Sequence, residues 1–258
     1  MHGSNLFSRY LRMLFSFFKK QTVTPDLSFL GVDMHSHLLP GIDDGLKTVE
    51  QTVAFVKELH ALGYKKLICT PHILNGVHNN TVATINAALD IARKALADAQ
   101  VPVVLEAAAE YMIDDEFENK INEKEELLTF GKNNILVEMS YLAESNNLLE
   151  VIFRLQMAGY HPILAHPERY NFYHGNFDKY EELKDRQVLF QLNILSLSGY
   201  YGKEIKKVSE RLLAKGMYDF IGTDMHHETH LAATKAFVAT KEFYNLVKNT
   251  NLHNQSLL

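Results

Sequence analysis

Short apolar runs alternate with longer amphipathic segments along most of this sequence. Seven runs between residues 29 and 226 are nearly continuous in apolar residues, which is typical of strands that are covered on both faces. Between them, apolar residues recur at helical spacing, as at Val49, Val53 and Val56, and Gly63 stands where that helix would end. This alternation predicts right-handed βαβ units, and seven units favour a seven-stranded α/β barrel over an open sheet. The predicted helices span residues 47–63, 80–99, 114–128, 145–159, 176–186, 203–215 and 229–249.

Each apolar run ends on a residue that can bind a metal or hydrogen-bond a substrate. In a parallel barrel the carboxyl ends of all strands meet on one face, and barrel active sites are built on that face. We therefore expect these imidazoles and carboxylates to meet in one mouth and to form a polynuclear metal site. The residues are, in chain order, His35 and His37, His72, Glu110, Glu138, His166, Asn193, and Asp224 with His226.

Two of the strand ends carry pairs of polar residues spaced two apart, His35 with His37 and Asp224 with His226. Side chains alternate along a strand, so His35 and His37 share a face and can grip one ion. The alternative is two unrelated surface histidines. A turn-rich loop at residues 39–45 follows the pair and carries Asp43 and Asp44, and this context favours a metal site.

The other strand ends are individually less specific. His72 follows Pro71, which ends strand pairing and helps to aim the histidine. Glu110 and Glu138 lie at the ends of apolar runs, where a carboxylate is costly to bury unless it is paired or bound to a metal. A loop position for His72, and a salt bridge or a solvated strand end for each glutamate, are the alternatives.

Arg169 follows the predicted ligand His166 by three residues and can place a guanidinium fork on two phosphate oxygens. Its alternative role is a salt bridge with Glu168 or another nearby acid. Charge supports a phosphate substrate, because three divalent ions would leave the carboxylate cluster positive, whereas a single ion would leave it negative. The carboxylates counted are Asp44, Glu110, Glu138 and Asp224.

Composition narrows the class of protein. A chain of 258 residues with 47% hydrophobic residues fits one soluble globular unit, and its net charge of −5 argues against nucleic acid as the main partner. Cys69 is the single cysteine, so an intramolecular disulfide and a cysteine-rich zinc site are excluded. Asn75 stands where a cysteine phosphatase loop would need arginine. We expect a buried, apolar Cys69 and a reducing, cytoplasmic environment.

We assign residues 1–28 to an N-terminal extension and residues 29–258 to a single domain. The extension contains the apolar stretch Leu11–Phe18 between basic residues, which is too short to span a bilayer and lacks a signal-peptide cleavage site. Weak contact with a membrane surface is one interpretation. We favour a poorly ordered extension.

Taken together, these motifs resemble the polymerase-and-histidinol-phosphatase (PHP) family. Within that family they are similar to the CpsB/YwqE-type protein-tyrosine phosphatases of capsule and exopolysaccharide systems. The resemblance extends from about Gly31 to the C-terminal helix. It rests on Asp33-Met-His-Ser-His37, Pro40-Gly-Ile-Asp-Asp-Gly45, Thr70-Pro-His72, Asn75-Gly-Val77, Ala165-His-Pro-Glu-Arg169 and Thr223-Asp-Met-His226.

The resemblance implies a distorted (β/α)7 barrel with three metal ions, usually Mn²⁺, with iron or zinc as alternatives. The first ion would be held by His35, His37, Glu110 and Asp224. The second would be held by Glu138 and His166, with Glu110 as a possible bridge to the first. The third would be held by Asp44, His72 and His226. Arg169, His166 and Asp224 would be the catalytic residues, with Arg169 binding phosphate. A metal-activated water would attack phosphorus without a covalent enzyme intermediate.

The implied substrate is phosphotyrosine in the Tyr-rich tail of a bacterial tyrosine kinase that controls polysaccharide synthesis, and a homo-oligomer is compatible with the sequence. One position departs from the pattern. Leu231 stands where related phosphatases carry a second arginine, seven residues after Asp224. His227 or His230 would then have to contact the substrate in its place.

Three other functions remain open at this stage. A small-molecule phosphatase of the same fold, such as a histidinol phosphatase, would use the same ligands. An amidohydrolase would commonly place a modified lysine on a central strand, where this chain has Glu110 and Glu138. A barrel that binds metal or a partner without turnover is the non-enzymatic alternative.

Overall fold

The computed structural model describes residues 24–258, and the apolar stretch Leu11–Phe18 lies outside them. The strands are β1 (Val32–Asp33), β2 (Lys66–Cys69), β3 (His72–Ile73), β4 (Val104–Ala107), β5 (Glu110–Met112), β6 (Asn134–Glu138), β7 (His161–Ala165), β8 (Leu189–Asn193) and β9 (Phe220–Gly222). The helices are α1 (Val49–Ala61), α2 (Val82–Asp98), α3 (Asp115–Glu123), α4 (Leu148–Met157), α5 (Asp178–Asp185), α6 (Ile194–Ser198), α7 (Lys203–Ala214), α8 (Glu228–Val238) and α9 (Lys241–Val247). Short 3-10 helices span Pro167–Arg169, Asn171–Tyr173 and Asn254–Leu257.

The strands form two parallel sheets, β1-β2-β4 and β3-β5-β6-β7-β8-β9. Only Thr70 and Pro71 separate β2 from β3, and two alanines separate β4 from β5. Proline has no N–H to donate to a ladder, which explains the first break. Backbone bonds continue across it, since the N–H of Glu110 donates to the carbonyl of Pro71 at 3.1 Å. The two sheets are therefore one ring of seven strands, two of which are interrupted.

The ring closes between the first and the last strand. Beyond β1, Ser36 forms a parallel bridge with Met225, and the N–H of His37 donates to the carbonyl of Met225 at 2.9 Å. At the other end of the barrel the buried Asn254 amide connects the two strands by donating to the carbonyls of Val32 and Ile221. The prediction of a distorted seven-stranded α/β barrel is confirmed.

The core explains why polar residues at strand ends face the barrel mouth. In β6, Leu136 lies in the apolar cluster inside the ring, whereas Ile135 and Val137 lie in the cluster between the strands and the helices. Side chains alternate along a strand, so Glu138 faces the interior at the carboxyl end. Both faces of the strand are buried, as its continuous apolar pattern predicts.

The helices differ from the sequence prediction in three places, beyond shifts of up to three residues at their ends. The predicted helix 114–128 ends at Glu123, because Lys124 takes a left-handed conformation with a φ angle of 57°. The predicted helix 229–249 is two helices, because Thr240 caps α9 by accepting a hydrogen bond from the N–H of Phe243 and so restarts the helical path. The helix α6 follows β8 without a loop, and its apolar residues extend the strand's own apolar run, so periodicity does not separate them. Among residues 24–258, none of the helices has the length and apolar character needed to cross a membrane.

Candidate metal centre

Four ligand atoms converge at the base of the barrel mouth, and we call His35, His37, Glu110 and Asp224 the deep cluster. The Nε2 atom of His35 lies 3.3 Å from His37 Nε2, 3.2 Å from Glu110 Oε2 and 3.3 Å from Asp224 Oδ1. His37 Nε2 lies 3.4 Å from each of the two carboxylates. These spacings of 3.2–3.4 Å match the separation of about 3.3 Å between two ligand atoms that each bind one metal at about 2.0 Å in a tetrahedral site.

Close backbone approach makes this geometry available. A side chain at Gly222 on β9 would place its Cβ 2.8 Å from the Cβ of His35. A side chain at Gly45 would place its Cβ 2.1 Å from the carbonyl oxygen of His37. These two glycines allow the last strand and the loop at residues 39–45 to pack directly against the histidine pair.

A second group lies nearer to the solvent, and we call Asp44, His72 and His226 the outer cluster. Asp44 Oδ1 lies 3.5 Å from His72 Nε2 and 3.4 Å from His226 Nε2. The ring of His37 stacks on that of His226 with centroids 3.9 Å apart, so the two clusters are in direct contact. These residues, together with His37, place ligand atoms within 4.8 Å of one another.

Glu110 connects the remaining predicted ligands. Its Oε1 lies 3.2 Å from His166 Nε2, and its Oε2 lies 3.2 Å from His72 Nδ1, which is itself 2.9 Å from Glu138 Oε1. Glu138 shares a potential metal group with His72 and Glu110, and His166 shares one with His35 and Asp224. The predicted pairing of Glu138 with His166 around one ion is not among these groups, although both side chains reach Glu110.

Several of these close approaches are not hydrogen bonds. His72 Nδ1 and Glu110 Oε1 are buried and have no hydrogen-bond partner, despite the short distances to neighbouring ligand atoms. Buried polar atoms without partners are costly. A bound cation would take up the lone pairs of these atoms, which then would not need hydrogen-bond partners. Imidazole and carboxylate together form a donor set that suits divalent transition metals. The residues therefore fit a metal centre.

The histidines of the deep cluster are oriented by partners that the sequence analysis did not assign to the site. His35 Nδ1 lies 2.9 Å from Gln191 Oε1, and His37 Nδ1 lies 2.7 Å from Asp43 Oδ2. Such partners fix the tautomer and point the other ring nitrogen at the metal. A signal existed for Gln191, because it interrupts the apolar strand β8 two residues before Asn193.

The two carboxylate oxygens of Asp224 have different roles: Oδ1 belongs to the deep cluster, and Oδ2 accepts two hydrogen bonds. Its Oδ2 accepts from Arg169 Nη1 at 2.7 Å and from Asn193 Nδ2 at 2.9 Å. The salt bridge anticipated for Arg169 thus exists, but with Asp224. The buried Glu168 instead accepts from the N–H of Asn193 and from the hydroxyl of Tyr218, each at 3.0 Å.

Two site residues have left-handed backbone conformations. The φ angles are 34° at His166 and 49° at Asp224, a region that costs energy for residues other than glycine. Each is held by a hydrogen bond from its own N–H: His166 donates to Gln191 Oε1 at 3.1 Å, and Asp224 donates to the carbonyl of His35 at 2.8 Å. The fold therefore stabilises an unfavourable local conformation at positions that turn ligands into the mouth.

Electrostatics favour ionised carboxylates in the cluster. Burial disfavours a charged His35, but Glu110 and Asp224 outweigh burial and raise its pKa to about 9. The pKa of Glu110 lies well below its usual range, because nearby imidazoles, chiefly that of His35, outweigh the cost of burying its charge. Burial lowers the pKa of His166 to about 4, so its ring is neutral. Ionised carboxylates and neutral imidazoles are the forms that bind metal, so Glu110 and His166 are already in the binding form, whereas His35 releases a proton when a metal binds.

The residues predicted to contact substrate take different positions. His227 is exposed and caps α8 by accepting a hydrogen bond from the N–H of His230. His230 is buried, its Nδ1 has no hydrogen-bond partner, and burial together with His227 lowers its pKa to about 4. Both histidines line the cavity at the barrel mouth, whereas Leu231 packs against apolar residues of the core.

A cavity of about 740 Å³ stands above the ligands. Its lining includes ligands from both clusters, the guanidinium of Arg169, and the side chains of Tyr141 and Tyr201. Cys69 is fully buried in β2, and burial raises its pKa to about 12, so a thiolate is not available to the cavity. Tyr141 was not predicted as a site residue.

Comparison with known proteins identifies relatives of this chain. Residues 31–252 match the family described as capsular polysaccharide synthesis, CpsB/CapC. The tyrosine-protein phosphatase YwqE of Bacillus subtilis is 29% identical over 229 residues, which cover 86% of this chain and 90% of that protein. The tyrosine-protein phosphatase CpsB of Streptococcus pneumoniae is 24% identical over 201 residues, which cover 76% and 83%.

Solved structures agree with this relationship. A structure of the metal-dependent tyrosine phosphatases YwqE from Bacillus subtilis and CpsB from Streptococcus pneumoniae matches with a TM-score of 0.74 at 27% identity, over 88% of this chain and 94% of that chain. Histidinol phosphate phosphatase from Lactococcus lactis matches with a TM-score of 0.52 at 14% identity, over 86% and 93%, which is a likeness of fold alone. The resemblance inferred from the motifs is thereby confirmed: the chain belongs to the CpsB/CapC family of capsular polysaccharide synthesis.

Proposed function

We propose that this protein is a metal-dependent protein-tyrosine phosphatase that hydrolyses phosphotyrosine in protein. The observation that carries the proposal is the deep cluster, whose four ligand atoms are spaced for a metal, with Arg169 directly beside it. Membership of a family whose relatives are named tyrosine-protein phosphatases supports the same conclusion.

The chain's own residues support phosphate-ester hydrolysis. A bound divalent cation supplies an acidified water molecule and polarises phosphoryl oxygens. Arg169 Nη1 lies 2.7 Å from Asp224 Oδ2, at the edge of the ligand set. The remaining N–H groups of Arg169 can therefore donate hydrogen bonds to a phosphoryl oxygen bound beside the metals. Asn193 also donates to Asp224 and so helps to orient that carboxylate. The buried Cys69 takes no part.

For the metal, we propose three ions, with Mn²⁺ as the working identity and iron or zinc as alternatives. Four overlapping donor groups support more than one ion, and His35, His37, His72 and Glu110 each belong to two of them. Charge balance supports it as well, because four carboxylates need more than two divalent ions to leave a net positive pocket for phosphate. Only oxygen and nitrogen donors occur in these groups, which is compatible with all three metals.

For the cellular role, we propose that the substrate is the Tyr-rich tail of a bacterial tyrosine kinase that controls capsule or exopolysaccharide synthesis. The capsular polysaccharide family supports this context. The single cysteine, Cys69, supports a cytoplasmic location. A homo-oligomer and a weak membrane contact through the N-terminal extension remain predictions that gel filtration and vesicle sedimentation of the full chain would check.

The test is turnover of a phosphotyrosine peptide and of histidinol phosphate by protein purified without chelators, with metal content measured on the same sample. We expect turnover of the peptide and loss of activity when the metals are stripped. Full activity without metal would end the proposal. Higher kcat/KM for histidinol phosphate would instead favour a small-molecule phosphatase.

Arg169→Ala tests the phosphate-binding role. Removing a charge-assisted donor should lower kcat/KM for the phosphotyrosine peptide about 100-fold while the metal content stays unchanged. Arg169→Lys is the matched control, because it keeps the charge and loses the fork, and it should recover part of the activity. Metal loss in Arg169→Ala would show that Arg169 acts by supporting Asp224 rather than by binding phosphate.

A further inference from the structure

Tyr141 lies at the mouth without a role in metal binding. It follows Glu138 by three residues, in the loop that leaves β6. Its hydroxyl lies 3.4 Å from His166 Nε2, the same atom that lies 3.2 Å from Glu110 Oε1. The side chain is 44% exposed and lines the cavity above the ligands. Tyr141 therefore reaches from the solvent to the edge of the metal centre.

The same residue contacts the phosphate-binding arginine. The guanidinium carbon of Arg169 lies 4.8 Å from the ring centroid of Tyr141 and 4.4 Å from that of Tyr201. Contacts of this kind between a cation and an aromatic face stabilise the orientation of the guanidinium. Tyr201 is itself fixed by its hydroxyl, which lies 3.3 Å from Asn193 Nδ2.

Metal binding removes the acceptor that Tyr141 has in this structure. A nitrogen that coordinates a metal has no lone pair left to accept a hydrogen bond, so His166 Nε2 cannot serve both. The phenol O–H of Tyr141 is a hydrogen-bond donor, which then needs another acceptor. An oxygen atom that sits beside the metals and within reach of Arg169 is the acceptor that fits, and a phosphoryl oxygen of the substrate provides one.

We propose that Tyr141 is a substrate-contacting catalytic residue: its hydroxyl donates to the phosphoryl group, and its ring orients Arg169. The proposal rests on the proposed phosphatase function and deepens it. It also accounts for a gap in the site, because Leu231 occupies the position of the second arginine and packs against the core. In this chain the second phosphate donor comes from the loop after β6 instead of from α8.

Tyr141→Phe isolates the hydroxyl, because the ring that contacts Arg169 is kept. We expect kcat/KM for a phosphotyrosine peptide to fall about 10- to 100-fold, the loss of one hydrogen bond to a charged group. The inhibition constant of inorganic phosphate should rise by a similar factor while the metal content stays at the wild-type level. Tyr200→Phe is the matched control, because Tyr200 is also 44% exposed but does not line the cavity, and its kinetics should be unchanged.

Tyr141→Leu removes the ring as well and should weaken phosphate binding more than Tyr141→Phe does. Equal losses in the two variants would overturn the role of the ring. Wild-type phosphate inhibition in Tyr141→Phe, or loss of metal from it, would overturn the contact with phosphate. Calorimetric binding of inorganic phosphate to the metal-loaded protein tests the contact independently of the proposed function. A wild-type protein that binds phosphate but does not hydrolyse phosphotyrosine would refute the function. Comparison of phosphate binding by the wild type and by Tyr141→Phe would still show whether Tyr141 contacts phosphate.

Discussion

The deep and outer clusters use the same kinds of ligand atom but differ in how firmly the fold holds them. Side chains of the deep cluster are at most 4% exposed, whereas in the outer cluster His226 and His72 are 13% and 14% exposed and Asp44 is 58% exposed. Three of the deep ligands, His35, His37 and Asp224, come from strand ends that hydrogen-bond to each other across the closure of the barrel. Asp44 comes from a loop.

The supporting contacts differ in the same direction. Gln191 and Asp43 orient the deep histidines, and Arg169 with Asn193 holds the second oxygen of Asp224. The carboxylate of Asp44 lies beside the outer imidazoles, and its pKa is held well below the usual range by His226 and then by His72. Preorganised ligands bind metal more tightly, because less freedom is lost on binding. For the proposed metal centre we therefore expect a tightly held ion in the deep cluster and a more exchangeable ion in the outer cluster.

The largest effect is expected from breaking the deep cluster. His35→Ala removes a ligand whose nitrogen lies within 3.3 Å of three others, so the ion loses its geometry. Loss of a residue that only hydrogen-bonds to a metal ligand lowers activity up to about 100-fold, and loss of the ligand itself should lower activity by more. The metal content should fall as well. Metal analysis and turnover on one preparation check this, with circular dichroism as the control for folding. A variant that keeps all its metal would show that the deep cluster is not the tight site.

Asp44→Ala breaks the outer cluster and should have a smaller, reversible effect. Removing the loop carboxylate weakens one ion, so activity should fall about 10- to 100-fold and recover when Mn²⁺ is added in excess. Titration with a chelator should remove the outer ion first from wild-type protein. If excess metal rescued His35→Ala but not Asp44→Ala, the assignment of tight and exchangeable sites would be reversed.

The difference between the clusters also explains how much of the site the sequence could predict. Apart from Asp44, which lies in a loop, the residues of both clusters stand at the ends of apolar runs, and a period-two pattern suffices to place such residues at one mouth of a parallel barrel. The histidine pair at positions 35 and 37 carries this signal most clearly. The predicted ligands and the seven-strand architecture therefore depended on local patterns, which a single sequence displays.

The supporting contacts depend on tertiary register, which local patterns do not reveal. Gln191 meets His35 only because β8 pairs with β9 and the last strand closes on the first. Tyr141 lies in a loop without periodicity, and its contact with Arg169 joins two different strand ends. Polar residues that interrupt an apolar strand, as Gln191 does, are the one signal that would have indicated such a role.

The smallest effect sharpens the comparison by weakening support for the deep cluster and for His166, but not for the outer cluster. Gln191→Leu leaves every ligand in place but removes the acceptor for His35 Nδ1 and for the N–H of His166. We expect about tenfold weaker binding of the deep ion, the lower end of what outer-shell partners contribute, and an unchanged outer ion. Gln191→Glu is the matched variant, because it keeps an acceptor oxygen and should retain the deep ion. Chelator competition separates the deep ion from the outer ion, and equal weakening of both would mean that Gln191 supports the whole mouth.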